Sequence, residues 1–416
     1  MYLHSMCNTI LHNINSSTQP TSTAMAIQNM IGAPVTGENF YGREIELRNA
    51  HRYLNERQSL LLSAPRRIGK SSMAKRLIND KTDEGWKCVY VDLQGIATKE
   101  TFLYKLIDAF TGVGIMDKAG TKALNVFGKA LNFVNGINLG DQKLELNDQA
   151  LTEALFNRLS GIFDHSKDTL IVIDELPLFL SKLMDENGKN RNEIEFLLNW
   201  FRSIRQNENS HIRWLFCGSV GLRNFTNHYA MSQSINDLVD FELGELPPEE
   251  AKGLIEALAK SYKLSIDKAL IDEILDQLQW PIPYFIQLLI DRLILKIPNP
   301  QTRPVTHEDI EEAITALSKS DKFITWSERL AEYRNLKSMA QSVLDHLSVT
   351  DDSQTKDDLL KIVMKNQDPT LIEEVKEKIT IVLEMLEHDG YLIRSDKYRK
   401  FRSPLLRRWW ANKFID

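Results

Sequence analysis

Between about residues 40 and 246, short apolar runs alternate with longer stretches of helical period. Five runs read as strands: Ser59–Ser63, Cys88–Leu93, Thr169–Asp174, Ile212–Cys217 and Leu238–Leu243. Val89 and Val91 are β-branched, and Leu170–Ile173 is continuously apolar, as in a strand buried on both faces of a parallel sheet. Helices are expected after the first run, through about Asn79, then near Thr101 and over Asn192–Gln206. Strands alternating with helices predict an α/β parallel sheet with crossover helices.

The pattern changes after Leu246. From Pro248 to about Ile297 the apolar spacing is helical, without a strand signal, and Pro298–Pro304 reads as a linker. Residues from about 320 to 416 are mostly helical and end in a strand-like pair, Tyr391–Ile393 and Tyr398–Phe401. Gly112–Asp148 fits either a helical insertion or a loop. The expected organisation is a disordered leader (1–35), an α/β domain (36–246), a helical unit (247–300) and a C-terminal domain (320–416).

A length of 416 residues suits two or three such domains, and 43% hydrophobic with 26% charged residues is ordinary globular usage. No run of about 18 apolar residues exists, so no membrane segment is expected. Met1–Ala26 is polar, Ser/Thr-rich and without the layout of a secretory signal; Met25 and Met30 are alternative starts. Cys7, Cys88 and Cys217 are not within metal-ligand spacing of one another and read as free thiols, which points to the cytoplasm. The net charge of −6 gives no global attraction to nucleic acid.

The chemistry begins where the first strand ends. Ser63-Ala64-Pro65-Arg66-Arg67-Ile68-Gly69-Lys70-Ser71-Ser72 joins a strand to a helix and follows the G-x-x-x-x-G-K-[ST] pattern, with Ala64 in place of the first glycine. Gly69 lets the backbone approach phosphates, and the helix start favours negative charge. Lys70 is placed to reach β- and γ-phosphates, and Ser71 to ligate Mg²⁺. Pro65, Arg66, Arg67, Ile68 and Ser72 complete the loop. These residues predict a nucleoside triphosphate, ATP with Mg²⁺. The third strand ends in Asp174-Glu175. Asp174 is expected in the Mg²⁺ shell and Glu175 as the general base for water. Ser219, after the fourth strand, is either a γ-phosphate sensor or part of a turn.

Four segments in order, Phe40-Tyr41-Gly42-Arg43-Glu44, Ala64–Ser71, Val172–Glu175 and Cys217–Ser219, resemble the additional-strand P-loop ATPases of the AAA+ and STAND group. Within that group the chain is most similar to the archaeal-type ATPase family of archaea and bacteria, related to the replication-origin initiators. The resemblance implies that Phe40, Tyr41, Gly42 and Arg43 line an adenine pocket and that 248–297 is a helical lid. It also implies that Pro283 occupies the lid's G-x-P element, although Pro281 replaces its glycine. An arginine contributed to a neighbouring subunit would fall between the fourth and fifth strands. Arg223 alone lies there, early in the interval, which argues against a tightly coupled hexameric motor but leaves a nucleotide-dependent oligomer open.

The resemblance further implies a C-terminal winged helix. Leu336–Leu347 suits its first helix, Asp357–Val363 the second, Leu371–His388 the third and Tyr391–Phe401 the wing. Residues 391–416 carry eight basic side chains against Asp396 and Asp416, a net +6 that leaves −12 on the remainder. The third helix is acidic, with Glu373, Glu374, Glu377, Glu384 and Glu387. Any DNA contact is therefore expected through the wing, at Arg399, Lys400 and Arg402, with weak sequence readout. The alternative is that Trp409, Trp410 and the arginines pack against the ATPase or a protein partner. Three functions fit: an ATP-hydrolysing conformational switch, a DNA-handling ATPase that loads or remodels partners, and a nucleotide-locked scaffold. The last would have no use for Glu175.

Overall fold

A computed structural model of the chain describes residues 26–114, 156–157, 159–161, 163, 167–184, 190–218, 221–300, 302–350, 352–365 and 368–415. The uncertain stretch Gly112–Asp148 lies outside these beyond Gly114, as does Ser219. The first part runs α1 (Glu44–Asn55), β1 (Leu60–Ser63), α2 (Lys70–Asp83), β2 (Lys87–Asp92), α3 (Lys99–Gly112), β3 (Thr169–Asp174), α4 (Leu176–Leu183), α5 (Arg191–Gln206), β4 (Ile212–Gly218), α6 (Leu222–His228) and β5 (Val239–Glu242). All five strands are parallel, in the order β2-β3-β4-β1-β5. β4 is therefore inserted between the strand that carries the phosphate loop and the strand that carries Asp174, the additional-strand arrangement.

Strand period explains the two-sided burial. Leu60, Leu62, Leu170, Val172, Leu215 and Cys217 face α1, α2 and the lid in one core. Leu61, Ile171, Ile173, Trp214 and Phe216 face α3, α4 and α5 in a second. Alternate residues point to opposite faces, so only near-continuous apolar runs could fill both cores.

The lid comprises α7 (Pro248–Ser261), α8 (Lys268–Leu278) and α9 (Pro283–Lys296). Asp267 caps α8 by accepting from Leu270 N, and proline stands in the first turn of α7 and α9, where its missing N–H costs nothing. Then come α10 (His307–Ser318), α11 (Ile324–Arg329), α12 (Lys337–Val349), β6 (Gln354–Thr355), α13 (Lys356–Met364), α14 (Ile372–His388), β7 (Leu392–Ser395), β8 (Tyr398–Phe401) and α15 (Pro404–Phe414). β6, β8 and β7 form a small antiparallel sheet. α15 is an addition to the expected elements: the basic character of the tail masks the spacing of Leu405, Leu406, Trp409 and Trp410, all of which are buried. The two indole N–H groups donate to Ser320 O (2.9 Å) and Asp345 Oδ1 (2.8 Å), within the chain's own core. That core runs unbroken from the sheet through Trp280 and Trp326 to Trp410.

Candidate functional site

The loop between β1 and α2 is wound by two residues with left-handed backbone, Arg67 (φ +65°) and Gly69 (φ +108°). At +108° any side chain is strained, which is why glycine stands there. Ala64 adopts no such conformation, so the missing first glycine carries no backbone penalty. Lys70 Nζ donates to the carbonyls of Ala64 and Pro65, both at 2.7 Å, folding its side chain back across the loop. Burial lowers the Lys70 ammonium to about 8, against the attraction of Glu175.

β3 delivers the acidic pair to the same place. Ser71 Oγ donates to Asp174 Oδ2 over 3.0 Å, and the Tyr90 hydroxyl from neighbouring β2 donates to the same oxygen. Burial raises the pKa of the Asp174 carboxyl. Asp174 Oδ1 accepts from Glu175 N at 3.1 Å, and Glu175 turns the chain into α4 with φ +58°. A hydroxyl beside a carboxylate is an all-oxygen donor set, suited to a hard cation that takes its remaining oxygens from phosphate and water. Among the described residues no cluster of three or more His, Cys, Asp or Glu offers another metal site.

Asp174 stands behind Ser71 through their hydrogen bond, and Lys70, Ser71 and Glu175 line a cleft of about 300 Å³. Arg66, Arg67, Gly69, Lys70, Ser71 and Ser72 form its floor, Gln94, Glu175 and Leu178 one wall, and Pro283, Tyr284 and Gln287 of α9 another. Pro65 and Ile68 lie on the far side of the loop, where they line a second cavity. The third wall is a correction. Gly32, Ala33, Pro34 and Val35 fall in the expected disordered leader, yet they border the cleft. Val35 N donates to Ser72 Oγ (3.0 Å), Arg67 to Gly32 O (3.2 Å) and Asn29 Nδ2 to Gln287 O (3.0 Å). Small residues and a proline ahead of the Phe-Tyr-Gly-Arg segment were the available signal; the polar, Ser/Thr-rich stretch before them obscured it. Arg67 also stacks on the Tyr284 ring at 4.7 Å, joining loop to lid.

Phe40–Arg43 lie elsewhere, outside the set that lines this cleft. Phe40 packs near Arg76 of α2 and Tyr41 against Gly253 of α7. Gly42 sits where a Cβ would come 2.4 Å from a Glu250 carboxylate oxygen. Arg43 is buried and donates to Gly244 O (2.7 Å), Glu245 O (3.3 Å) and Glu46 (2.8 Å), while its own N–H donates to Glu250 (3.0 Å). The segment thus fastens the root of the lid to the sheet. Arg223 pairs with Asp240 (2.6 Å) in its own chain.

The C-terminal unit rests on the phosphate loop. Gly390 is so close that a Cβ there would lie 2.6 Å from Trp280 and 2.9 Å from Pro65. Ser63 Oγ and His388 Nε2 are 3.1 Å apart, and Arg66 meets Glu332 at 3.4 Å. Of the three basic residues expected at a DNA surface, two point inward. Arg399 is 8% exposed and pairs with Glu387 (2.7 Å); Arg402 pairs with Glu245 (3.1 Å) and lies over Trp280. On the hairpin, Arg399 shares its parity with buried Phe401 and faces the body, whereas Arg402 lies beyond β8 and is held inward by Glu245; a count of charges shows neither. Lys400 is exposed, with Lys397 and Tyr398 beside it at the turn.

Residues 52–225 match a protein-family model described as an AAA domain. No curated protein matches the chain in sequence. Among solved structures it is similar to a Walker-type ATPase of Pyrococcus abyssi, at 15% identity and TM-score 0.60, covering 92% of this chain and 99% of that one. It is also similar to the ORC2 protein of Aeropyrum pernix in ADPNP–ADP complexes (12% identity, TM-score 0.49, covering 90% and 96%). The ORC1 protein of the same organism, in complex with DNA, matches at 15% identity and TM-score 0.43, covering 92% and 94%. At these identities the first likeness is one of fold.

Proposed function

We propose, from the premise that residues 52–225 form an AAA-type P-loop domain, that this chain is an ATP-binding, slowly hydrolysing conformational switch. Its nucleotide state would pass to the C-terminal unit, read as a winged helix. The observation that carries the reading is the convergence of Lys70, the Ser71–Asp174 pair and Glu175 on one cleft bordered by the lid. Gly69 and the N-terminal N–H groups of α2 receive the phosphates, and Lys70 turns from the Ala64 and Pro65 carbonyls to the β- and γ-oxygens. Ser71 and Asp174 would hold Mg²⁺, which when bound would supply positive charge against the developing negative charge of the phosphoryl group. Glu175 takes the proton of the attacking water, which is general-base chemistry. Pro283 and Tyr284 bring the lid to the nucleotide.

The contact of Gly390 with Pro65 supports the switch, because movement of the loop is felt directly by the C-terminal unit. The test is a phosphate-release assay with Mg·ATP on the full chain, paired with a Glu175→Gln variant. No release by the wild type above the variant would sink hydrolysis and leave a nucleotide-locked scaffold.

A second reading, DNA handling, has one observation in its favour: Lys397, Tyr398 and Lys400 are exposed together on the hairpin. Cationic and aromatic side chains on a projecting turn suit a phosphate backbone. A protein partner on the same face is the alternative occupant. No described helix is long and apolar enough to cross a membrane.

A further inference from the structure

One residue of the phosphate loop is shared with the C-terminal unit. Arg66 borders the nucleotide cleft, yet its Nη2 lies 3.4 Å from Glu332 Oε1. Glu332 belongs to the segment between α11 and α12 and also pairs with Arg329 Nη1 at 2.9 Å. Arg329, buried, continues to Asp389 at 3.0 Å, and Tyr333 donates to the same carboxylate at 2.9 Å. Asp389 immediately precedes Gly390, the residue wedged between Pro65 and Trp280. An ionic chain therefore runs Arg66–Glu332–Arg329–Asp389, from the cleft to the seam. At the other end of the segment, Arg334 donates to Ser181 O and Met184 O at the end of α4, the helix that Glu175 begins. Arg334 holds φ +51°, ψ −121°, a backbone conformation that a non-glycine residue keeps only when its surroundings impose it.

An entering polyphosphate competes for the same guanidinium. Arginine binds phosphate oxygens in a charge-assisted, often bidentate fork, and a triphosphate offers more negative charge than one carboxylate. Its link to Glu332 is a single contact at 3.4 Å, the easier of the two to give up. Lys70, on leaving the Pro65 carbonyl, frees the residue that Gly390 rests on.

We propose that Glu332 competes with the nucleotide phosphates for Arg66, acting as an internal latch that ties the C-terminal unit to the phosphate loop. Nucleotide binding breaks the Arg66–Glu332 pair and loosens the seam at Gly390. The proposal rests on the nucleotide reading above and supplies the route by which a bound phosphate is felt outside the cleft. It carries two measurable consequences. Without its carboxylate the latch no longer opposes the phosphates, so Glu332→Gln binds nucleotide more tightly, by roughly three- to tenfold, as the cost of opening is removed. In the wild type, nucleotide slows amide exchange in the phosphate loop and speeds it across the seam.

The experiment is hydrogen–deuterium exchange on the full chain, with and without Mg²⁺ and adenylyl imidodiphosphate. It is paired with calorimetric titration of the same nucleotide into wild type and Glu332→Gln. Slower exchange over residues 66–72, faster exchange over 386–392, and tighter binding by the variant are the expected results. Slower exchange over 66–72 with unchanged or slower exchange over 386–392 overturns the latch and leaves nucleotide binding standing. So does a variant that binds equally or more weakly. No change over 66–72 at saturating nucleotide overturns both readings. The wild-type exchange measurement decides the matter even where the variant fails to fold.

Discussion

The Ser71 hydroxyl donates to the Asp174 carboxylate across 3.0 Å, although 103 positions separate the two residues. One lies in the first turn of α2 after β1 and the other closes β3, with β4 standing between the two strands. The hydrogen bond thus spans an inserted strand and brings a hydroxyl and a carboxylate to one point. Tyr90, from the third contributing strand, steadies the carboxylate from behind.

Lys70→Ala removes the loop's central cation. A ligand at about a hundredfold over its Kd adds about 2.7 kcal/mol to the folded state. Wild type should therefore gain several degrees in Tm with Mg·ATP, and the variant should gain none at the same concentration. An equal thermal shift in both would dismiss the phosphate-loop assignment.

Glu175→Gln keeps the shape of the side chain and removes the proton acceptor. Binding should survive within about threefold while turnover falls by about a hundredfold or more, the pattern of a group needed only in the chemical step. Single-turnover phosphate release and a binding titration on the same preparation separate the two. Wild-type turnover in the variant would place the base elsewhere.

Much of the site is legible in the amino-acid sequence, for physical reasons that differ by residue. Leu170–Ile173 announces a doubly buried strand because both faces of a parallel sheet need apolar side chains, and Asp174 then falls at its end. Gly69-Lys70-Ser71 is legible because few residues tolerate its backbone demands. Gly32–Val35 are barely legible: beyond small residues and a proline they show no side-chain periodicity, because they make one wall of the cleft through backbone groups. The inward turn of Arg399 and Arg402 is hidden, because their partners Glu387 and Glu245 come from α14 and from the root of the lid.

Gly390→Ala tests the seam. Its φ of +83° costs any side chain roughly 1 kcal/mol, and the clash with Trp280 and Pro65 adds about 1–3 kcal/mol of overpacking. Gly85 is the control: its φ is +87°, but an added Cβ would meet nothing within 4 Å. Gly85→Ala should show the backbone cost alone in denaturant unfolding. Equal losses from the two would mean that the seam contributes no packing.

Asp309 gives an acid-sensitive contact. Its buried carboxylate accepts from Arg303 and from Thr306 N at the start of α10 and meets Lys296 at 2.9 Å. The Arg303 guanidinium holds it below the usual aspartate range. A carboxyl that ionises more readily when folded stabilises the fold above its unfolded pKa, and that contribution is lost as pH falls through the folded value. Asp309→Asn should therefore cost about 1–3 kcal/mol at neutral pH, and the gap from wild type should begin to narrow below about pH 4 and close only as pH falls through the lower folded value. A constant gap in Tm from pH 7 downward would show that charge plays no part.

The hairpin divides its basic residues into two populations, and a salt titration distinguishes them. Lys397 and Lys400 are exposed, whereas Arg399 is buried against Glu387 and Arg402 is held by Glu245. On α14, Lys376 and Lys378 are each paired with a glutamate of their own helix, Glu373 and Glu374. A lysine already neutralised by a neighbour displaces few counterions from a duplex. If the hairpin meets DNA, binding should weaken steeply with salt and depend little on sequence. Replacing Lys397 and Lys400 with Ala should lower affinity on two unrelated duplexes alike, flattening the slope of log K against log salt by roughly 0.9 for each phosphate no longer neutralised. Arg399→Ala should instead lower Tm through loss of its buried pair and leave the slope unchanged. Changes at Lys376 and Lys378 should do little to either. A slope that responds to Arg399 but not to Lys400 would mean that the hairpin opens on binding. Absence of DNA binding by the wild type at low salt would leave Lys397, Tyr398 and Lys400 as a docking face for protein, because exposed cations that meet no phosphate still offer an acidic partner their charge.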